Sequence, residues 1–204
     1  YLQTAVNQAR QLTAVVTQLM DFQKVDIQKE ILSLSMTDMV KLIADRKVIY
    51  TSLAKSKNVH FEFTSNQENY ITAIDEIKME KVIDNLISNA IKYSHDNGVV
   101  NIEFKGEKNR WTLMVKDNGI GISKYAQRKL FKEFYRGENA INAKIVGSGI
   151  GLLLIKNYIN MHGGTISFES QKNVGSVFQV VIPYKVVKEN KQAGATPEPV
   201  IDFA

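Results

Sequence analysis

A mixed α/β domain behind one long helix is the fold class this sequence predicts, and three patterns predict it. Apolar residues recur every three or four positions across residues 2–22, 39–53 and 77–91, as on helices with one buried face. They alternate singly in 59–64, 99–105, 110–117, 165–169 and 176–182, as in half-buried strands. Short turn-formers such as Gly106-Glu107-Lys108-Asn109 join consecutive strands into hairpins.

The composition narrows the function classes. The chain has 204 residues with 44% hydrophobic and 23% charged, an ordinary globular mixture. Its net charge is +5 with both signs scattered, and no basic block interleaved with aromatics implies a nucleic-acid partner. There is no cysteine, which excludes disulfides, thiolate-bound zinc and a cysteine nucleophile. The longest apolar stretch, Ile145 to Ile155, is broken by Gly and Ser and is shorter than the roughly 18 residues of a membrane span. No signal peptide is visible, and a cytoplasmic location without membrane contact is expected. Because the chain opens at Tyr1 inside a helical pattern, it reads as a piece of a longer protein.

In chain order, Leu2, Ala5, Ala9, Leu12, Val15, Val16, Leu19 and Phe22 make a narrow apolar stripe on the first helix, which calls for a bundle or dimer partner. Ser35 or Thr37 opens a second helix carrying Met39, Val40, Leu42, Ile43, Val48, Ile49 and Leu53, on to Lys57. A strand with Val59, Phe61 and Phe63 follows, then a short one from Tyr70 to Ile74. The next helix, 76–94, turns Ile77, Val82, Ile83, Leu86, Ile87, Ala90 and Ile91 to the core. Asp96-Asn97-Gly98 leads into the hairpin Val99 to Asp117. Residues 123–148 are irregular and polar, with Leu130, Phe131, Phe134 and Tyr135 as anchors; a loop this long is commonly functional and mobile. A helix from Ile150 to Met161 stops at His162-Gly163-Gly164, and a second hairpin closes the domain. The expected divisions are 1–31, a helix from a longer hairpin; 32–184, the domain; and 185–204, a flexible linker or tail.

Three features carry chemistry. Asp117-Asn118-Gly119-Ile120-Gly121-Ile122 ends a strand in a carboxylate beside two glycines, an anionic acceptor next to closely approachable backbone. Asn85, Asn89 and Lys92 lie four and three apart on one helix face, where a neutral oxygen for a hard cation stands beside a point charge for phosphates. Tyr93 adds a ring that can cover a base. Gly147-Ser148-Gly149-Ile150-Gly151 precedes a helix, whose N-terminal amides attract anions. Neither glycine cluster fits a Walker or Rossmann fingerprint, and the protein-kinase motifs are missing.

These stretches, in this order, resemble the boxes of bacterial sensor histidine kinases of two-component systems. Asn85-Leu86-Ile87-Ser88-Asn89-Ala90-Ile91-Lys92-Tyr93-Ser94 resembles their N box and Asp117-Asn118-Gly119-Ile120-Gly121 their G1 box. Leu130-Phe131-Lys132-Glu133-Phe134-Tyr135-Arg136 resembles the F box and Gly147-Ser148-Gly149-Ile150-Gly151-Leu152 the G2 box. The resemblance implies the Bergerat ATP-binding fold, a two-layer α/β sandwich whose mixed sheet is covered on one face by helices. It implies a site for ATP and Mg²⁺ made of Asn85, Asn89, Lys92, Tyr93, Asp117, Gly119, Gly121, Ile122, Arg136, Gly147, Ser148, Gly149, Gly151 and Leu152. Asn89 holds the metal in that reading, Lys92 and Arg136 meet phosphates, Asp117 accepts the adenine amino group, and residues 123–148 form the lid.

By the same resemblance, residues 1–31 are the second helix of a dimerisation hairpin whose first helix bears the phosphorylated histidine. His60, His95 and His162 are expected to be structural or solvated, so the fragment alone should not phosphorylate itself. The implied partners are that missing helix, a second copy in the full-length protein, and a response-regulator receiver domain, to which the tail leads in hybrid members. The full-length protein would be membrane-anchored through segments absent here. Two alternatives compete. Hydrolytic relatives of the same fold carry a glutamate where this chain has Asn85, which cannot take a proton from water at neutral pH. A non-catalytic signalling scaffold would show decayed boxes, and these are intact.

Overall fold

The computed structural model describes residues 31–131 and 150–185, together with Ala9, Thr13, Val16 and Met20 and the backbone of 187–188 and 200–201. Those four early residues are helical, with Val16 and Met20 exposed; the rest of the first apolar stripe lies outside the described residues.

The domain begins with strand β1 (Ser35–Asp38) rather than with a helix opening at Ser35 or Thr37. Asp38 is the cap of helix α1 (Met39–Ser56), its Oδ1 accepting from the N–H of Val40 at 3.0 Å and of Tyr70 at 3.0 Å. One carboxylate thus both starts a helix and ties it to the next strand pair, which leaves the preceding residues free to be extended. Helix α1 ends at Ser56 with Lys57 as its cap, and Asn58 just beyond takes the left-handed conformation at φ 54°. Strands β2 (His60–Ser65) and β3 (Ile71–Ile74) follow, then helix α2 (Glu76–Tyr93), strands β4 (Val99–Gly106) and β5 (Arg110–Asp117), and the single-turn helix α3 (Lys124–Gln127). Helix α4 (Gly151–Met161) leads into the hairpin β6 (Thr165–Gln171) and β7 (Gly175–Pro183). A two-residue pair, β8 (Val187–Lys188) with β9 (Val200–Ile201), lies beyond.

Five strands form one mixed sheet in the order β2-β4-β5-β7-β6, parallel only between β2 and β4. Alternation along β4 and β5 buries Val100, Ile102, Phe104, Trp111, Leu113 and Val115 on one face, where the helices lie. Asn101, Lys105 and Lys116 face away, exposed. Helix α2 lays Met79, Val82, Ile83, Leu86, Ile87, Ala90 and Ile91 on that apolar face. Each of these side chains except Ala90 contributes on the order of 1.5–3 kcal/mol by leaving water. Ile77, expected in this core, is 69% exposed; the helix phase gives its place to Met79. Val48, Ile49 and Leu53 of α1 are likewise exposed, because α1 buries only the narrower stripe of Met39, Leu42, Ile43 and Ala54. Arg46 joins α1 to α2, its Nε 2.7 Å from Asp84 with a second guanidinium N–H on the other carboxylate oxygen, and it also reaches Glu80 at 3.3 Å.

The short sheet β1-β3 is antiparallel, from Ser35 opposite Ile74 to Asp38 opposite Ile71. Ordered packing runs through Lys185, whose carbonyl accepts from the Ala73 N–H at 3.0 Å and whose side chain is buried. The stretch 189–199, expected as linker, lies outside the described residues.

Candidate nucleotide-binding site

The C-terminal half of α2 carries Asn85, Asn89, Lys92 and Tyr93, all half-buried. Asn89 Nδ2 donates to Asn85 Oδ1 at 2.9 Å, so one amide orients the other across a helical turn. Asn85 in turn packs on the first residue of α4: a Cβ on Gly151 would lie 2.1 Å from Asn85 Nδ2. A larger residue there would push the Asn85 amide aside. Ile150, the cap position of α4, makes no side-chain cap bond of its own. Leu152, in the first turn, is partly buried against the core.

At the end of β5, Asp117 is 5% exposed. Its Oδ1 accepts from the Gly119 N–H at 2.9 Å. Burial raises its carboxyl to about 6, against the opposing pull of N–H bonds from Gly119 and Ser176 and of nearby His95. It therefore remains ionised near neutrality, as a buried acceptor for an N–H group.

The glycines after Asp117 serve the protein's own backbone. A Cβ on Gly119 would lie 2.0 Å from the Tyr93 carbonyl oxygen, and one on Gly121, at φ 59°, would lie 2.0 Å from that of Gln171. Close approach was the expected use of these residues, and what approaches is backbone of α2 and of the β6–β7 turn. Bonds hold the loop there: Ile120 N–H to Tyr93 O at 3.0 Å, Asn173 N–H to Ile120 O at 2.8 Å, and Ile122 N–H to Ser170 Oγ at 2.9 Å. Ile122 lines a cavity of about 480 Å³ with Lys124, Gln127, Ser170, Gln171 and Lys172. None of Asn85, Asn89, Lys92, Asp117 or Gly151 borders it.

One contributor went unnoticed in the sequence. Lys57, just past α1, donates its Nζ to the carbonyls of Ile91, Lys92 and Ser94 at 3.1, 3.0 and 3.0 Å. With Ser94 Oγ on Ala90 O and Ile120 N–H on Tyr93 O, every carbonyl from Ala90 to Ser94 has a donor. A lysine three residues before a strand has no local pattern to announce this. Lys92 Nζ stands 5.4 Å from the Tyr93 ring centroid.

From the expected lid, Ser123 caps α3 and Phe131 meets Phe168 edge-on at 5.7 Å, with Lys156 Nζ 5.5 Å from the Phe131 ring. Phe131 thus packs on the sheet through Phe168. Phe134, Arg136, Gly147, Ser148 and Gly149 lie outside the described residues. Among the histidines, His60 is exposed beside Glu62 at 2.6 Å and His162 is buried. His95 is exposed just past the end of α2 and is followed directly by Asp96. Among the described residues, no cluster of three or more His, Asp or Glu is placed to hold a metal ion, and no helix is long and apolar enough to cross a membrane.

A mixed sheet covered by helices on one face, with a buried carboxylate at a strand end facing an asparagine-bearing helix, defines an ATP-binding domain of the Bergerat type. Residues 74–186 match the family of histidine kinase-, DNA gyrase B- and HSP90-like ATPases, and the chain belongs to that family. The sensor histidine kinase WalK of Bacillus subtilis is 31% identical over 194 residues, covering 93% of this chain and 31% of the relative. RprX, a sensor protein of Bacteroides fragilis, is 33% identical over 181 residues, covering 87% and 34%. The chain spans about a third of the length of these relatives. The nucleotide-free catalytic domain of the histidine kinase ThkA superposes with a TM-score of 0.66 at 25% identity, covering 75% of this chain and 99% of that one. Within the family, the resemblance is to the catalytic domains of sensor histidine kinases.

Proposed function

We propose that this chain binds ATP·Mg²⁺ as the catalytic domain of a sensor histidine kinase. The γ-phosphate would go to a histidine on a dimerisation helix outside this sequence, for relay to a response-regulator aspartate. The carrying observation is Asp117, a buried carboxylate that stays ionised near neutrality at the end of β5, whose following loop is bonded to the C-terminal end of the helix that carries Asn85 and Asn89. Asp117 would accept the adenine amino group, and Tyr93 would cover the base. Lys92 and Arg136 would meet phosphates, together with the backbone of Gly147, Ser148, Gly149, Gly151 and Leu152. The residues fit a magnesium ion held mainly by the nucleotide: Asn89 offers a neutral oxygen, and no described carboxylate cluster competes. The bound ion would draw charge off the phosphates.

Transfer needs a nucleophile in line with the γ-phosphate, and the protein mostly positions and stabilises charge. Asn85 stands where a hydrolytic relative would place a base, so water is not activated. The partners would be the missing helix, a second copy and a receiver domain. The last draws support from a solved complex of ThkA with the response regulator TrrA (TM-score 0.66, 23% identity, 90% of this chain and 50% of that one).

Calorimetry should find ATP binding that depends on Mg²⁺ in this chain, and a weakened Mg²⁺ dependence in Asn89→Ala. Incubation with γ-labelled ATP should leave the fragment unlabelled, and extension through the missing hairpin helix should restore labelling. Phosphate on His60, His95 or His162, or brisk ATP turnover, would overturn the assignment.

A further inference from the structure

Away from the nucleotide site, the opposite ends of α2 and α4 meet in a buried polar knot. His162, 1% exposed, is the C-terminal cap of α4. Its Nε2 accepts the backbone N–H of Asp75 at 3.0 Å, so its Nδ1–H is the donor to Tyr158 O at 2.7 Å. Asp75 is the N-cap of α2. A neutral imidazole therefore joins the last turn of one site helix to the first amide of the other. Burial disfavours its charged form, and Lys185 and Lys78 add to that against the pull of Asp75 and the Tyr158 carbonyl.

The Asp75 carboxylate reaches a third element. Oδ1 accepts from Lys78 N–H at 3.1 Å; Oδ2 accepts from Lys78 Nζ at 2.9 Å and from the Ser33 N–H at 3.0 Å. Ser33 precedes β1, which adds Thr37 Oγ1 to Glu76 at 3.1 Å. Residues 33–38, the entry into the domain through β1, are thus fastened to the start of α2. That helix's other half carries Asn85 and Asn89. Helix α4, pinned at His162, is a rod of about 16 Å, and its far end places Gly151 against Asn85. A small shift at the knot moves Gly151 across the Asn85–Asn89 pair, and small misplacements there weaken binding.

We propose that His162 and Asp75 are positioning residues of the nucleotide site, and that through them attachment of residues 33–38 is coupled to nucleotide binding. The binding half rests on the proposed ATP reading. Coupling is reciprocal: nucleotide strengthens the attachment as much as the attachment strengthens nucleotide binding.

Amide exchange on the whole chain tests this, with the Leu154 N–H, which donates to Ile150 O at 3.0 Å in the first turn of α4, as reporter. Ser33→Pro deletes the Ser33 N–H donor at an exposed position. It should speed Leu154 exchange several-fold without nucleotide and lower ATP·Mg²⁺ affinity about 3- to 10-fold. His162→Leu should do the same, whereas His162→Gln, which keeps an acceptor for the Asp75 N–H, should behave as wild type. Exchange that rises only within 31–38 and 71–74 in Ser33→Pro, with Leu154 unchanged, would sink the proposal even if His162→Leu fails to fold. A wild-type chain that binds no ATP would instead strike at the function reading, and nucleotide-free exchange at Leu154 would still decide the coupling.

Discussion

The two ends of α2 solve the same problem in opposite ways. At its N-terminus, Asp75 and His162 are buried and bonded to each other, to Lys78 and to Ser33. At its C-terminal end, Lys57 and Ile120 satisfy the backbone completely, yet the side chains of Asn85, Asn89, Lys92 and Tyr93 stand half-exposed. The first end closes on itself and holds elements together. The second closes its backbone and leaves these side chains partly exposed, at the place where the proposed reading seats the nucleotide. The two ends thus differ in how far their polar side chains, rather than their backbone groups, are buried.

The sharpest way to break this contrast is Gly119→Ala. Its methyl meets the Tyr93 carbonyl oxygen at 2.0 Å, and that carbonyl is held by the Ile120 N–H beside the Lys57 ammonium. With no flexible side chain to yield, the loop must move off α2. We expect nucleotide affinity to drop more than about 100-fold and stability to fall by roughly 1–3 kcal/mol. A melting curve and a titration together check it; normal values for both would mean the loop is not held as described.

Asp117→Asn should separate binding from stability. A charge-assisted bond is worth roughly 1.5–3 kcal/mol, so ATP affinity should fall about 10- to 100-fold. The free protein should be no less stable, because the substitution removes a buried charge. The pH dependence follows from the raised carboxyl. Its folded value of about 6 exceeds the ordinary 3.8, so the protonated form is favoured in the native state. Its contribution to stability is present below 3.8 and is lost as pH rises through about 6. Nucleotide binding runs the other way, since it needs the carboxylate: affinity should decline by about tenfold from pH 7 to pH 5. In Asp117→Asn the profile should be flat over that range.

The smallest effect belongs to Lys57→Met, which keeps the aliphatic stem and removes the ammonium from three carbonyls. Cations at a helix C-terminus are worth about 0.3–1 kcal/mol, up to about 2 when partly buried. A several-fold loss of nucleotide affinity, recovered in part by Lys57→Arg, would confirm that backbone closure at this end serves the site. Full-strength binding in Lys57→Met would show that Ser94 and Ile120 hold the turn without it.

Local order was legible from residue spacing alone. Periodicity located α1, α2, α4 and the two hairpins, because side chains three or four apart share a helix face and alternate ones share a strand face. The same spacing put Asn85, Asn89 and Lys92 together, and the end of β5 marked Asp117. Where local pattern failed, a distant partner had decided. Asp38 caps α1 while holding Tyr70, so residues 35–38 became a strand paired with β3. Ile77 lost its core place to Met79 once the sheet set the rotation of α2. Lys57 reaches carbonyls 34 to 37 residues away, and His162 meets Asp75 across 87. The glycines at 119 and 121 suggested room for a ligand, and only the packed structure revealed the neighbouring backbone of Tyr93 and Gln171. Such contacts depend on how whole elements dock, and docking is set by the summed burial of many side chains rather than by any short run of residues.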